Sequence, residues 1–212
     1  MEPLDRRQRK KQRTRAAIQA AAVELFTERG YRDTTIAAIA DAADVAVRTV
    51  TGHFPAKEDL LFADDPFTAA SLAARLAVRD GVPVLDAFRG WMATTMAALT
   101  AERTQEFWRQ RSLRSRLVLE NPELRGRARS AYHELESVVA AAIAAERGEV
   151  AHALAPRLVA ITVVSGVREV YASHEAQPGT STPSKDDLLA LIDRVIAFAR
   201  AGARTLDSER PG

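Results

Sequence analysis

The 212-residue chain contains no cysteine. It therefore forms no disulfide, and it offers neither a thiolate metal site nor a cysteine nucleophile. Its four histidines are scattered, which leaves too few clustered nitrogen ligands for a zinc site. The sequence also lacks a run of about 18 uncharged apolar residues, the length that a membrane-spanning helix needs. These absences argue against a disulfide-stapled, metal-dependent or membrane-embedded protein.

The net charge of the chain is only +2, but its N-terminus is strongly basic. Residues 1–15 hold seven Lys and Arg residues against two acidic ones. A basic arm on an otherwise neutral chain suits a polyanion such as DNA or an anionic membrane surface, and a solvated leader is the alternative. Glu24 interrupts the apolar stretch that follows, so we expect no signal peptide and a cytoplasmic protein.

Apolar residues recur at helical spacing along nearly the whole chain, and strand-like alternation is scarce. We therefore predict an all-α fold of about nine to ten helices. A three-helix helix-turn-helix domain with its basic arm occupies residues 1–55, and a larger helical bundle occupies residues 56–212. The predicted helices span residues 9–29, 34–43, 46–52, 57–64, 67–79, 84–100, 103–119, 122–147, 152–174 and 185–205.

Two short predicted helices, joined by a tight turn at Asp44-Val45, have the layout of a helix-turn-helix. The second helix of such a pair enters the major groove of DNA. Val50 and Phe54 lie one turn apart and face inward in this helix. The side chains left outside are Arg48, Thr49, Thr51 and His53. Arginine can bind guanine through two hydrogen bonds, and threonine presents a hydroxyl and a methyl to base edges.

The segment GYRDTTIAAIADAADVAVRTVTGHFPAKEDLL resembles the DNA-binding signature of TetR-family transcriptional regulators, a likeness that covers about residues 12–62. The positions in register are Gly30-Tyr31, Thr34-Thr35, Ile39-Ala40, Val45, Thr49, His53-Phe54 and Lys57-Glu58. The family's plan, a DNA-binding domain ahead of a larger ligand-binding and dimerisation domain, agrees with the predicted helices. The resemblance implies a regulator that binds a double-stranded DNA operator, and it favours a repressor over an activator.

Three positions depart from the family pattern. Asp44 stands where the family usually has Gly, Ala46 where Ser commonly caps the recognition helix, and Thr51 where an aromatic residue is frequent. The turn requires a left-handed residue, a conformation that Asp adopts at a cost of about 1 kcal/mol. Ala46 cannot supply the N-cap hydrogen bond. We expect a less rigid DNA-reading head and an unusual operator.

The resemblance implies DNA contacts from Thr35, from the exposed face of residues 47–53, and from Lys57, whose charge at a helix start favours a phosphate. With one arginine of the basic arm, the predicted DNA-binding residues are Arg13, Thr35, Val47, Arg48, Thr49, Thr51, His53 and Lys57. His53 has only threonines beside it and no second metal ligand nearby in sequence. We therefore interpret it as a phosphate donor, with packing at the helix end as the alternative.

A single helix-turn-helix reads only a few base pairs, so we expect a homodimer that reads half-sites about 34–36 Å apart or multiples of that distance. The last two predicted helices, about 152–174 and 185–205, are the candidates for the interface. The first of them is apolar on nearly every side, and Ser165-Gly166 permits close backbone approach. A wholly intrachain core is the alternative.

Aromatic and thioether residues gather in the middle helices, as they do around ligand cavities, with a few polar groups to orient a ligand. The predicted effector-binding residues are Phe88, Trp91, Met92, Met96, Trp108, Arg111, Tyr132, Arg168 and Tyr171. Residues 121–148 resemble the C-terminal domains of regulators that respond to acyl-CoA. A small hydrophobic or acyl-type effector is therefore expected, although most apolar residues at helical spacing are simply core.

Two alternatives remain. A constitutive DNA-binding regulator would use these aromatic residues only as core, and no small molecule would release it from DNA. A small all-α enzyme would use the Trp-lined cavity as an active site, with His133 or His174 as the essential group. The sequence offers no catalytic constellation and no glycine-rich phosphate loop, so we expect neither an enzyme nor a cofactor.

Overall fold

The computed structural model describes residues 6–63, 65–99, 101–150, 152–175 and 184–208, and every regular element in these ranges is an α-helix. The helices are α1 (Arg6–Asp33), α2 (Ile36–Ala42), α3 (Val47–His53), α4 (Asp59–Phe62), α5 (Ala69–Ala77), α6 (Val84–Ala97), α7 (Ala101–Glu120), α8 (Pro122–Arg147), α9 (Leu154–Glu175) and α10 (Lys185–Ser208). The all-α prediction and the order of the helices are confirmed. Within these ranges, no helix has the length and apolarity needed to span a membrane.

The chain folds as two compact units. The N-terminal unit comprises the described residues up to Asp65 together with Arg109–Arg127. The C-terminal unit comprises Pro66–Trp108 together with the described residues from Ala128 onward. The N-terminal unit extends past residue 55 because Leu60 and Leu61 of α4 are buried in its core. The functional division into 1–55 and 56–212 stays a prediction.

The N-terminal unit is built around α1. Its apolar face buries Ile18 and Phe26 completely, at the i, i+8 spacing of one helix face. Gly30 departs from helical geometry with φ 79°, a conformation open to glycine, so the chain turns where the sequence predicted the first helix to end. Buried side chains from the other helices complete the core: Ile39, Ala40, Val50, Phe54, Leu60, Leu61, Leu113, Leu117 and Leu124.

Helix α4 is shorter than predicted, spanning Asp59–Phe62 instead of residues 57–64. The Asp59 carboxylate accepts a hydrogen bond from the backbone N–H of Ala56 at 3.1 Å, which places the turn before the helix rather than inside it. Two guanidinium groups flank its last side chain, since Arg114 and Arg127 each lie 5.4 Å from the Phe62 ring centroid. Arg114 also pairs with Asp65 at 2.8 Å, and Arg127 with Asp59 at 3.5 Å.

The C-terminal unit has its own apolar core. Its fully buried side chains include Leu72 of α5, Val84 and Ala87 of α6, Val139 of α8, Ala160 and Val163 of α9, and Ile192 of α10. Helices α9 and α10 approach closely at Gly166, where an added Cβ would lie 2.5 Å from Cγ1 of Val195. The close approach expected at Ser165-Gly166 therefore occurs within the chain, between neighbouring helices.

Two ion pairs tie α6 to α10. Arg89 donates to both oxygens of Asp193 at 2.6 and 2.9 Å, a bidentate geometry. That hydrogen bond lowers the pKa of Asp193 below its usual range. Arg200 donates to Asp86 at 2.6 Å. Both pairs are about 40% exposed, so each adds only modestly to stability while fixing the alignment of the two helices.

Candidate nucleic-acid interface and effector site

The turn between α2 and α3 has the hydrogen bonds of a Schellman motif. The N–H of Val45 donates to the carbonyl of Ala40 at 3.0 Å, and that of Asp44 to the carbonyl of Asp41 at 3.1 Å. Asp44 is the left-handed residue, with φ 51°. The expectation that Asp44 adopts the conformation usually reserved for glycine is therefore confirmed. The turn sets the direction in which α3 leaves α2.

Helix α3 divides into a buried side and an exposed side. Val50 and Phe54 are 0% and 1% exposed and hold the helix on the core. Val47 is 47% exposed, Arg48 and Thr51 are also exposed, and Thr49 is half-buried. Ala46 supplies no side-chain cap, as expected from the missing serine. The first N–H groups of α3 and the outward side chains of Val47, Arg48 and Thr51 thus share one exposed surface.

Two threonines of the predicted DNA-binding set form hydrogen bonds with the protein's own backbone through their hydroxyls. The Thr35 oxygen accepts a hydrogen bond from the N–H of Ala38 at 3.1 Å, so this residue is the N-cap of α2. Thr51 donates back to the carbonyls of Val47 and Arg48 at 3.4 and 3.3 Å. Thr51 therefore presents a methyl and acceptor lone pairs outward, whereas the exposed Thr35 keeps its hydroxyl proton available to an acceptor.

The end of α3 is tied to α1 by Arg15, a residue that we did not single out from the sequence. Its guanidinium donates to the carbonyl of His53 at 2.9 Å and lies 4.2 Å from the centre of the Phe54 ring. The sequence shows only a run of basic residues in this segment, and such a run does not indicate which of them contacts α3. Arg13 remains exposed on α1.

His53 is half-buried, and burial is the first cause that lowers its pKa below the usual value. The positive charges of Lys11 and Arg15 lower the pKa further. The ring is therefore neutral at physiological pH, and it can give only one N–H to a phosphate.

Lys57 is directed into the N-terminal unit. Its Nζ donates to the carbonyls of Tyr31 and Thr34 at 2.6 and 2.9 Å, and it lies 4.0 Å from the centre of the Tyr31 ring. Burial lowers the pKa of this lysine, while Glu58 and two further acidic residues partly offset that effect. Lys57 precedes α4 instead of beginning it. Its predicted phosphate contact stays a prediction, and its ammonium already has protein partners.

Six aromatic residues of the C-terminal unit form a connected group, which we call the aromatic cluster. Its members are Phe67, Phe88, Trp91, Phe107, Trp108 and Tyr171, linked by ring centroids 5.4–6.4 Å apart. The Trp91 indole N–H donates to Oγ of Ser71 at 3.2 Å. Four of the nine predicted effector residues thus meet in one place. Phe67 was missed because it stands at the start of the predicted helix 67–79, outside the middle helices in which the other aromatic residues gather.

The remaining predicted effector residues are distributed more widely. Met92 is buried in the core around the cluster, and Met96 packs against that core. Tyr132 also packs there, and the exposed Arg168 lies 5.7 Å from its ring centroid. Arg111 is buried within the N-terminal unit, whereas the other eight predicted effector residues belong to the C-terminal unit. Its assignment to the effector site stays a prediction.

An N-terminal helix-turn-helix followed by a helical domain is the architecture of one-component DNA-binding regulators. Residues 18–63 match the family described as bacterial regulatory proteins, tetR family. Residues 82–204 match the family described as MftR C-terminal domain. The chain belongs to the TetR family, and it is a DNA-binding transcriptional regulator.

Known proteins resemble this chain to different extents. MftR of Mycobacterium tuberculosis is 27% identical over 163 residues, which cover 77% of this chain and 80% of MftR. TcmR of Streptomyces glaucescens is 42% identical over 69 residues, so that match spans only 30% of each chain. The crystal structure of Thermus thermophilus FadR has a TM-score of 0.57 at 24% identity and covers 89% of this chain and 94% of FadR. At this identity the likeness to FadR shows a shared fold.

Proposed function

We propose that this chain is a cytoplasmic homodimeric repressor that leaves its operator when a small hydrophobic or acyl-type effector binds. The observation that supports DNA reading is the solvent-exposed outer face of α3, which carries Val47, Arg48 and Thr51. Arg48 is the side chain suited to guanine, and Val47 and the Thr51 methyl suit the methyl group of thymine. Arg13, Thr35 and His53 would add phosphate contacts that set the register without reading sequence.

The dimer is proposed to form through the apolar outer faces of α9 and α10. Leu154, Leu158 and Ile161 are 66%, 40% and 42% exposed, and they fall on one side of α9 at i, i+4 and i+7. Phe198 of α10 is 72% exposed. Exposed apolar side chains grouped in this way mark an interaction surface. A two-fold dimer would pair the two recognition helices with the two halves of a palindromic operator.

The aromatic cluster is the proposed effector site. It offers large apolar faces, and the indole N–H of Trp91 supplies a polar group that could reorient toward a ligand. An acyl chain is the favoured occupant because the C-terminal match is to the MftR domain and because the FadR structure of similar fold is described as a complex with lauroyl-CoA. The phosphates of a coenzyme A headgroup would need cationic partners, of which the exposed Arg168 beside Tyr132 is one.

Helices α7 and α8 are the proposed route from effector to DNA. Each helix contributes residues to both units, and near their junction Arg114 and Arg127 hold α4 through Asp65, Asp59 and the ring of Phe62. An effector that displaced α7 at Trp108 would act on Arg114, which lies on the same continuous helix. A coupling of about 1–3 kcal/mol would be enough for a usable switch.

A constitutive regulator is the second candidate, and the packing of the aromatic cluster favours it. Five of the six members contact two or more rings of the group, as in an ordinary core. In that case no ligand enters, and the cluster only stabilises the C-terminal unit. The two candidates differ in one result, the release of bound DNA by an acyl-CoA.

The test is binding to labelled DNA that flanks the protein's own gene, measured by fluorescence anisotropy at about 50 and 200 mM salt. We expect the Arg48→Ala and Thr49→Ala variants to lose affinity, by about 1–3 kcal/mol for the arginine. Arg129→Ala, an exposed arginine of α8 in the C-terminal unit, is the matched control and should bind like wild type. Equal competition by random DNA, with no effect of Arg48→Ala, would contradict the assigned reading face.

Release of the bound DNA is then titrated with lauroyl-CoA, with coenzyme A as the control for the headgroup. Release by the acyl compound alone supports the effector-responsive repressor. DNA binding that neither compound alters, with no change in tryptophan emission, supports the constitutive regulator.

A further inference from the structure

A cleft of about 240 Å³ lies in the C-terminal unit, apart from the residues of the aromatic cluster. It is found where α6 and α9 begin and where α8 and α10 end. Leu85, Ile143 and Val159 provide apolar walls, and the last two are only 5% and 6% exposed. A buried apolar floor under an open cleft favours an occupant with an apolar part.

The charged rim of the cleft is mainly cationic. Arg147, Arg200 and Arg204 line it, against Glu146 as the one acidic lining residue. Glu146 already accepts hydrogen bonds from Arg79 at 3.3 Å and from the backbone N–H of Val84 at 3.0 Å. Arg147 in turn pairs with Glu149 at 2.8 Å, and Arg200 with Asp86 at 2.6 Å. Arg79, Arg147, Arg200 and Arg204 thus stand against three carboxylates, and this excess of positive charge leaves a net attraction for anions at the rim.

Arg200 and Arg204 lie one turn apart on α10, so their guanidinium groups reach the same side of the helix. Asp86 orients Arg200 through a 2.6 Å hydrogen bond. The first turn of α9, which contributes Ala155 to the cleft, contains no acidic residue that would oppose an anion. Guanidinium groups pair with carboxylates and phosphates through two parallel hydrogen bonds. A carboxylate that carries an apolar tail fits both this rim and the apolar floor.

The volume limits the size of the occupant. About 240 Å³ corresponds to roughly eight water molecules at about 30 Å³ each, and it lies below the range of about 300–1,000 Å³ for drug-sized ligands. We propose that the cleft binds a short-chain carboxylic acid, with its carboxylate on Arg204 and Arg200 and its alkyl tail on Ile143 and Val159. This site is additional to the proposed effector site, and it does not depend on it.

The test is titration of the full chain with hexanoate, followed by calorimetry and by intrinsic tryptophan emission. Both tryptophans of the chain belong to the aromatic cluster, so occupation of the cleft should leave their emission unchanged. Hexanol and hexylamine have the same tail without the negative charge, and we expect both to bind at least about tenfold more weakly.

Three variants make the assignment specific. Arg204→Gln should weaken hexanoate binding about tenfold, since it removes a charge-assisted hydrogen bond. Ala203→Leu, which fills the cleft with an apolar side chain, should abolish it. Arg194→Gln changes an exposed arginine of α10 outside the cleft and should leave binding unchanged. Circular dichroism checks that each variant is folded.

The proposal is overturned if hexanoate does not bind up to its solubility limit, or if folded Arg204→Gln and Ala203→Leu bind it like wild type. Binding that changes the tryptophan emission equally in wild type and in Ala203→Leu would also overturn it, because the ligand would then occupy the aromatic cluster.

Discussion

Replacing Lys57 with Met tests whether this lysine stabilises the fold or contacts a DNA phosphate. Methionine keeps most of the side-chain length and its packing on the Tyr31 ring, and it removes the ammonium. The lost interactions are the two hydrogen bonds from Nζ, at 2.6 and 2.9 Å, and the cation–π contact at 4.0 Å. Without this donor, the carbonyls of Tyr31 and Thr34 would have to accept hydrogen bonds from water or lose a hydrogen bond.

Hydrogen bonds to charged groups contribute about 1.5–3 kcal/mol each, but Lys57 is half-buried, and burial already lowers its pKa. That desolvation offsets part of the gain, so we expect a net loss of about 2 kcal/mol in the free energy of unfolding. For a chain of this size such a loss lowers the melting temperature by about 4–8 °C. Thermal and urea denaturation measure it, and Lys185→Met, an exposed lysine at the start of α10, should show almost no change.

The salt dependence of DNA binding by Lys57→Met tests the alternative, in which Lys57 contacts a phosphate. If Lys57 contacts a phosphate, its removal lowers the slope of log affinity against log salt by about one unit. We expect an unchanged slope at temperatures where the variant is folded. An unchanged melting temperature combined with a smaller slope would refute the role of Lys57 as a support of the fold.

Three further predictions follow from backbone and side-chain geometry. Asp44→Gly should raise the free energy of unfolding by about 0.5–1 kcal/mol, because glycine adopts φ 51° without strain. Gly166→Ala should lower it by about 1–3 kcal/mol, because the new Cβ would lie 2.5 Å from Val195 Cγ1. Because the pKa of His53 is lowered in the folded protein, the unfolded chain binds a proton more readily at this residue. The contribution of His53 to stability is therefore complete above about pH 6.5 and declines as the pH falls. His53→Gln should flatten that decline in denaturation measured at several pH values.

Each of these changes has a matched control. Asp41→Gly introduces glycine into α2, where it should lower stability by up to about 1 kcal/mol. Gly202→Ala adds a Cβ in open space on α10 and should be neutral or stabilising. His152→Gln, which changes an exposed histidine outside the N-terminal unit, is the control for the His-to-Gln substitution itself. Equal effects at Gly166 and Gly202, for example, would mean that helix propensity outweighs the contact with Val195.

Local features of the fold were predictable from the sequence because they depend on neighbours a few residues apart. Glycine at position 30 and aspartate at 44 each take positive φ where the turns were expected. Val50 and Phe54 face the core because they are one turn apart on α3, and Ala46 leaves that helix without a side-chain cap. The relative placement of residues up to about four positions apart follows directly from their spacing in the sequence.

Partners distant in the chain were not predictable in the same way. Arg111 was predicted to bind the effector, yet it is buried in the N-terminal unit, and on the same helix Arg114 pairs with Asp65, 49 positions earlier in the chain. Lys57 looked like a phosphate ligand, and only the fold brings the carbonyls of residues 31 and 34 within reach of its ammonium. Phe67, which precedes α5 in the structure, contacts rings on α6, α7 and α9.

The sequence by itself determined the all-α class, the order of the helices, the helix-turn-helix and its family, because repeating apolar positions, turn residues and a DNA-binding signature are all local patterns. The tertiary structure alone decided that Arg15 ties α3 to α1, that Gly166 serves a contact within the chain, and that the aromatic cluster assembles from α6, α7, α9 and the segment before α5. Those contacts join residues far apart in the chain, and their geometry depends on how whole helices pack.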